Sequence, residues 1–218
     1  LRVFQEQNGT IWVGTEGDGL NRFDADKHQF TRFDLETTTN SSGKSRGSPW
    51  EIFETADHSL WIGTMGRGLF KWSADDRQAG INRFQQYASA QGLASAIYSI
   101  TGGSNGELWL SSNRGLFEFN PDSLEVRKFD RNNGLRTNEF NQGARLRSRS
   151  GRLLFGSNMG LVGFFPGDLP KNDRPPLISV DAKSRTETIA RNWTGGQAPV
   201  AQLNYFDAFI AFDFVALD

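Results

Sequence analysis

Cysteine is missing from this 218-residue chain, which excludes a disulfide frame, a thiolate nucleophile and a Cys-based metal site. Histidine is nearly as scarce, with only His28 and His58. They sit in the turn-like segments DADKHQ and TADHS, and no metal-ligand spacing joins them, so zinc has no motif here. No apolar run approaches the roughly 18 residues that a membrane span needs. No signal peptide opens the chain. Leu1 falls in a strand-like segment, so targeting information is expected in sequence beyond these residues. Neither sign of charge is in excess: 24 Lys and Arg stand against 25 Asp and Glu, a net charge of −1. The basic residues are scattered, which argues against a nucleic-acid surface or a polybasic membrane patch. Asp24-Ala25-Asp26 lacks the further oxygen ligands and glycine of a calcium loop, no G-x-S-x-G elbow is present, and no cofactor is expected.

What the chain does have is a repeat. GTIWVGTEGDGLNRFD begins at Gly9, SLWIGTMGRGLFKWS at Ser59, GELWLSSNRGLFEFN at Gly106 and GRLLFGSNMGLVGFF at Gly151. Trp12, Trp61, Trp109 and Leu154 occupy one phase, at spacings of 49, 48 and 45 residues. Each copy pairs a short apolar segment with a second, aromatic-rich one across a Gly- and Asn-containing turn, which reads as a hairpin. Upstream lies another strand candidate, such as Trp50-Glu51-Ile52-Phe53 or Ile97-Tyr98-Ser99-Ile100. Downstream lies a fourth, such as Phe30-Thr31-Arg32-Phe33 or Val126-Arg127-Lys128-Phe129. Four short strands in 45–50 residues describe one blade of a β-propeller. No segment carries a sustained helical period, so little helix is expected.

The fold expected is therefore all-β: four-stranded antiparallel propeller blades over residues 1–48, 49–95, 96–138 and 139–166, the last lacking its fourth strand. Residues 167–176 read as a linker with two adjacent prolines. From Leu177 the repeat stops, LISVDAKS reads as a new strand, and residues 177–218 read as the truncated beginning of a β-sandwich. Trp12, Trp61 and Trp109, recurring at equal phase, are expected in the core between blades.

These blades resemble the two-component-regulator propeller family, whose strands take the form G-x-I/L-W-x-G-T followed by G-L-x-x-F. Trp12-Val13-Gly14-Thr15 with Gly19-Leu20, and Trp61-Ile62-Gly63-Thr64 with Gly68-Leu69, carry the likeness. Ser111-Ser112 and Gly156-Ser157 are mild departures. The stretch from Asn133 to Leu169 resembles the last blade of such sensors, and LNYFDAFIAFDFVALD resembles a segment of the Y_Y_Y sandwich that follows it. The resemblance implies a periplasmic, ligand-sensing region anchored by a membrane segment outside this chain, homodimeric in the full-length receptor. It implies an output through a histidine kinase or a diguanylate cyclase. It also implies a small-molecule or glycan ligand and no catalytic residues in these blades. A propeller-type polysaccharide lyase or hydrolase, and a protein-interaction scaffold, are the alternatives.

Candidate ligand residues follow from where blade loops fall. The turn between the second and third strands of a blade shares a face with the inter-blade loops, here LETTTNSSGKSRGS (Leu35–Ser48), ASAQGLAS and RNNGLRTN. That face carries Arg67, Asn113, Arg114, Arg136 and Asn158, donors suited to an oxygen-rich or anionic ligand. Trp50 and Tyr98, each 11 residues before a repeat Trp, start inner strands and are placed to stack on a sugar ring at the channel mouth. Ordinary solvated turns and core packing are the competing readings for these residues.

Overall fold

In the computed structural model, residues 1–35, 48–169, 177–184, 188–193 and 210–217 are described. Two compact units divide the chain, Leu1–Leu169 and Pro170–Asp218. The first sheet joins β1 (Arg2–Gln5), β2 (Ile11–Thr15), β3 (Gly19–Asp24) and β4 (Gln29–Phe33) as an antiparallel meander. The second repeats it with β5 (Pro49–Glu54), β6 (Leu60–Thr64) and β7 (Leu69–Trp72). A short helix, α1 (Ala74–Gln78), precedes its outer strand β8 (Gln85–Tyr87). The third sheet holds β9 (Ser99–Gly102), β10 (Leu108–Ser112), β11 (Gly115–Phe119) and β12 (Val126–Phe129). The fourth has three strands, β13 (Phe140–Arg147), β14 (Leu153–Ser157) and β15 (Gly160–Phe164).

The second unit is an antiparallel sheet in the order β17 (Thr188–Trp193), β16 (Leu177–Ser184), β18 (Ile210–Leu217). The long loop at 36–47, most of the linker and the stretch 194–209 lie outside the described residues. No described helix is long and apolar enough to cross a membrane.

Every residue of β6 and β10 is buried. A strand sandwiched between two neighbouring sheets has no solvent face, so the leading residues of β6 and β10 are apolar on both sides of the pleat, and the buried Thr64, Ser111 and Ser112 have their hydroxyls hydrogen-bonded. Trp12, Trp61 and Trp109 are 2%, 1% and 0% exposed, which places all three in the core. Trp61 packs with Ile100, Leu108, Leu110, Phe117 and Phe119 of the next blade, so its cluster is the seam between blades two and three. The repeat glycine of W-x-G serves this close approach. A Cβ on Gly63 would stand 2.8 Å from Ile97, where the next blade begins. Blade three has Ser111 at that position, fully buried, its hydroxyl 2.5 Å from that of Ser99. The departure from the repeat is accommodated by a hydrogen bond in place of the glycine.

Helix α1 is the element the periodicity did not show, because five residues are too few for a period. Asp75 and Asp76 form the first turn of α1, with the Ser73 hydroxyl accepting from the Asp76 N–H at 3.1 Å. Carboxylates near a helix N-terminus and a serine cap both favour this local choice. The helix carries Arg77 back to the first blade, where its guanidinium binds the buried Glu6 carboxylate. Glu6 also accepts from the Trp12 indole, and from Asn8 at 3.1 Å. Arg77 lies over the rings of both Trp12 and Trp72.

His28 and His58 are turn residues with positive φ, at 53° and 59°. His58 holds the place in the β5–β6 turn that glycine holds in the other blades, at Gly9, Gly106 and Gly151. His58→Val should therefore cost about 1–2 kcal/mol more than His58→Gly, since a β-branched side chain is the least tolerant of that region. Urea unfolding of the two variants measures the difference, and equal midpoints would remove the conformational explanation.

Candidate functional site

Inner strands from all four blades run side by side: β1 contacts β5, β5 contacts β9, β9 contacts β13, and β13 also approaches β5. In an antiparallel meander, the entry to the first strand and the turn between the second and third lie at the same end. Hydrogen bonds fix that end: Gly68 N–H donates to Ser95 O at 2.6 Å, Gly115 N–H to Asn138 O at 2.8 Å, and Met65 N–H to Ser48 O at 3.0 Å.

Trp50 and Tyr98 meet there. Their ring centroids are 5.4 Å apart, tilted by 40°, and both side chains are half-buried. A bulge places Trp50. Pro49 pairs with Thr64 and Glu51 with Gly63, which leaves Trp50 as the extra residue of β5. Bulges bend a strand and re-aim the side chain at the irregularity. A larger bulge interrupts β13, where Asn141, Gln142, Gly143 and Ala144 face Gly156 alone. This segment reaches both aromatic residues: Gly143 N–H donates to Tyr98 O at 2.9 Å and the Gln142 amide to Trp50 O at 3.4 Å. The Tyr98 hydroxyl donates to Glu139 Oε1 at 3.4 Å. Burial, and then the Glu139 charge, raise the Tyr98 phenol above its ordinary value, so it stays a neutral donor through the physiological range.

Next to the aromatic pair is a charge cluster that sequence reasoning missed. Glu51 is fully buried. Its Oε1 accepts from Arg2 Nη2 at 2.6 Å and from Arg145 Nη2 at 2.9 Å. The three residues come from three blades. Arg2, Glu51 and Ser99 stand opposite Gly14, Gly63 and Ser111, so they occupy one level of the inner strands. A signal was present: each lies twelve residues before the third position of its W-x-G or W-x-S motif. Charged residues at that phase of an inner strand are out of place in a purely structural repeat.

The loop-face candidates stay apart. Asn113, Arg114, Arg136 and Asn158 are exposed on their turns, and no hydrogen bond or ion pair joins these four side chains to one another. Arg67 is half-buried, its N–H donating to the Thr64 hydroxyl at 3.2 Å and its carbonyl accepting from Gln86 at 2.8 Å. A cavity of about 360 Å³ lies at the opposite end of the strands, between blades one and two, lined by Glu6, Trp12, Arg22, His58 and Arg77. Its charged wall is the Glu6–Arg77 clasp, whose members already satisfy one another. Among the described residues, no cluster of His, Asp or Glu is arranged to hold a metal.

No family model matches the chain. A curated histidine kinase of Formosa agariphila is 30% identical over 95 residues, covering 43% of this chain and 7% of that protein. One solved structure, described as the extracellular domain of a hybrid two-component system of B. thetaiotaomicron, aligns with a TM-score of 0.67 and 20% identity. It covers 98% of this chain and 28% of the other. Another such domain from the same organism aligns at 0.64 and 23%, covering 77% of this chain and 23% of the other. The chain thus spans under a third of the length of each of these relatives. The likenesses establish the propeller fold, and they bear out the resemblance to two-component sensor propellers read from the blade motifs.

Proposed function

We propose that this chain is part of the extracytoplasmic, ligand-sensing region of a bacterial signal-transduction receptor. Its ligand enters at the loop-face mouth of the inner strands. The observation that carries this reading is the convergence there of two aromatic residues from adjacent blades. A bulge aims one of them, and β13 hydrogen-bonds to both. Bulges and half-buried aromatics at a strand end cost packing without serving it, and concave sites with a few convergent polar groups are where small ligands bind. The resemblance to sensors of two-component systems supports an output through a kinase or cyclase module in the full-length protein, a periplasmic location and a dimeric receptor. A ligand can drive such a switch only by binding one arrangement more tightly than the other.

A thermal-shift screen of the chain against neutral glycans, sugar acids and small anions tests the reading. A ligand at a hundred times its Kd adds about 2.7 kcal/mol of stability, an easily read rise in Tm. Trp50→Ala is expected to remove that rise while the free variant still melts cooperatively. Ligand recovered cleaved would replace the sensor with a polysaccharide-active propeller. A screen in which nothing shifts Tm would point to a protein-interaction scaffold.

A further inference from the structure

The Arg2–Glu51–Arg145 cluster is unbalanced in two ways. It carries two guanidinium groups for one carboxylate. Its hydrogen bonding is also incomplete: both arginines reach the same oxygen, Glu51 Oε1, each through a single Nη2. Glu51 Oε2, Arg2 Nε and Arg145 Nε are buried without a partner. A clasp selected only to hold blades together would use the fork of each arginine on both carboxylate oxygens, because bidentate pairing is the stronger geometry. Buried polar atoms without partners are rare enough in native proteins that each calls for an explanation. Here two like charges share one oxygen, and a further anion would relieve their repulsion.

The arginines are also reachable. Arg2 and Arg145 keep 30% and 20% of their side-chain surface exposed. No hydrogen bond to a described residue occupies the Nη1 of either. Glu51 follows Trp50 directly in β5, and Arg145 lies three residues after Gln142, whose amide donates to Trp50 O, so the cluster and the aromatic pair are held by the same two strands. The next cation along β13, Arg147, is committed to Gly102 O and Gly103 O at 3.2 and 2.9 Å. Arg2 and Arg145 are therefore the donors left for a ligand.

We infer that Arg2 and Arg145 form the subsite for an anionic group on the sensed ligand. The ligand would be a hydroxylated carboxylate or sulfate ester, such as an acidic sugar. This inference rests on the reading that ligand binds at the aromatic mouth. The ring of such a ligand lies against Trp50 and Tyr98 while its anionic oxygens take the unused arginine N–H groups. Glu51 keeps the two guanidinium groups together, and in the empty site it partly neutralises them.

Calorimetric titration of the chain with D-glucuronate, D-glucose 6-sulfate and methyl D-glucoside tests this. At least one anionic probe should bind about tenfold or more tightly than the neutral one, the scale of a charge-assisted hydrogen bond. Which anionic probe binds tells carboxylate from sulfate. Arg145→Met, which removes the guanidinium and keeps an unbranched side chain, should bring the affinity of the anionic probe down to that of the neutral one. Should Arg145→Met fail to fold, Arg2→Met, at the more exposed of the two arginines, should do the same. Equal affinity for charged and neutral probes would overturn the anion subsite and leave the aromatic mouth standing. An anion preference untouched by both variants would place the charge recognition elsewhere and also overturn it. No binding by any probe here, together with a blank Tm screen, would overturn both.

Discussion

Replacing Trp61 with alanine is expected to lower the unfolding free energy by about 3–5 kcal/mol, the range for losing a large aromatic from a packed core. Trp61 is 1% exposed, and its ring centroid lies 5.6 Å from that of Tyr87 and 5.9 Å from that of Phe119, the second in an edge-on arrangement. The cost has two parts. Apolar surface is no longer withdrawn from water, and a void opens between sheets two and three that their backbones cannot collapse to fill. Lys71, whose ammonium lies 5.3 Å from the same ring, provides the contrast. Lys71→Ala should cost less than about 1 kcal/mol, since it removes one partly exposed cation–π contact. Urea unfolding of both variants checks the pair. A Trp61→Ala loss below that of Lys71→Ala would mean the seam between these blades is not a core.

The second large effect falls on a glycine. Gly115 turns β10 into β11 at φ 117°, and a Cβ there would stand 2.2 Å from the carbonyl oxygen of Phe129. That oxygen belongs to the outer strand β12, whose ladder pairs Leu116 with Phe129. Gly115 is also held by its N–H to Asn138 O, and its carbonyl accepts from the Ser112 hydroxyl. The turn cannot move without giving up these bonds. Gly115→Ala should cost about 3 kcal/mol or more, the left-handed penalty of about 1–2 kcal/mol plus displacement of the strand end. Gly160 holds the same place in blade four at φ 108°, where no described fourth strand lies alongside and a Cβ would meet nothing within 4 Å. Gly160→Ala should therefore show the conformational penalty alone. If the two variants lose equal stability, the contact with β12 is not what requires glycine at Gly115.

The contrast between these glycines shows where reading the sequence stops. Both sit in turns of one repeat, SNRG and SNMG, and the reading of the last blade already left it without a fourth strand. What it did not carry is that the Phe129 carbonyl, fourteen residues downstream, comes hard against Gly115, because that approach is set by how β12 packs beside the turn. The same holds for Trp50. Its spacing from Trp61 placed it at the start of an inner strand, but the bulge that aims it depends on how many residues β5 sets against β6. Spacing along one strand does not carry that information. Helix α1 escaped because its local cap is legible only once the strand before it is known to end at Trp72.

By itself the sequence determined the repeat, the four-strand period, the burial of the three tryptophans and the all-β class. It could do so because strand alternation, glycine turns and large apolar side chains act over a few residues, and the same local rules recur in each blade. It also brought Trp50 and Tyr98 forward, since equal phase in a repeat implies equal place in a blade. Only the tertiary structure decided that Arg2, Glu51 and Arg145 meet, for they lie 49 and 94 residues apart along the chain. Their contact arises from the packing of inner strands of different blades, with a bulge in β13 just before Arg145. Charge at a single position reads as a solvated side chain until the partners that bury it are known.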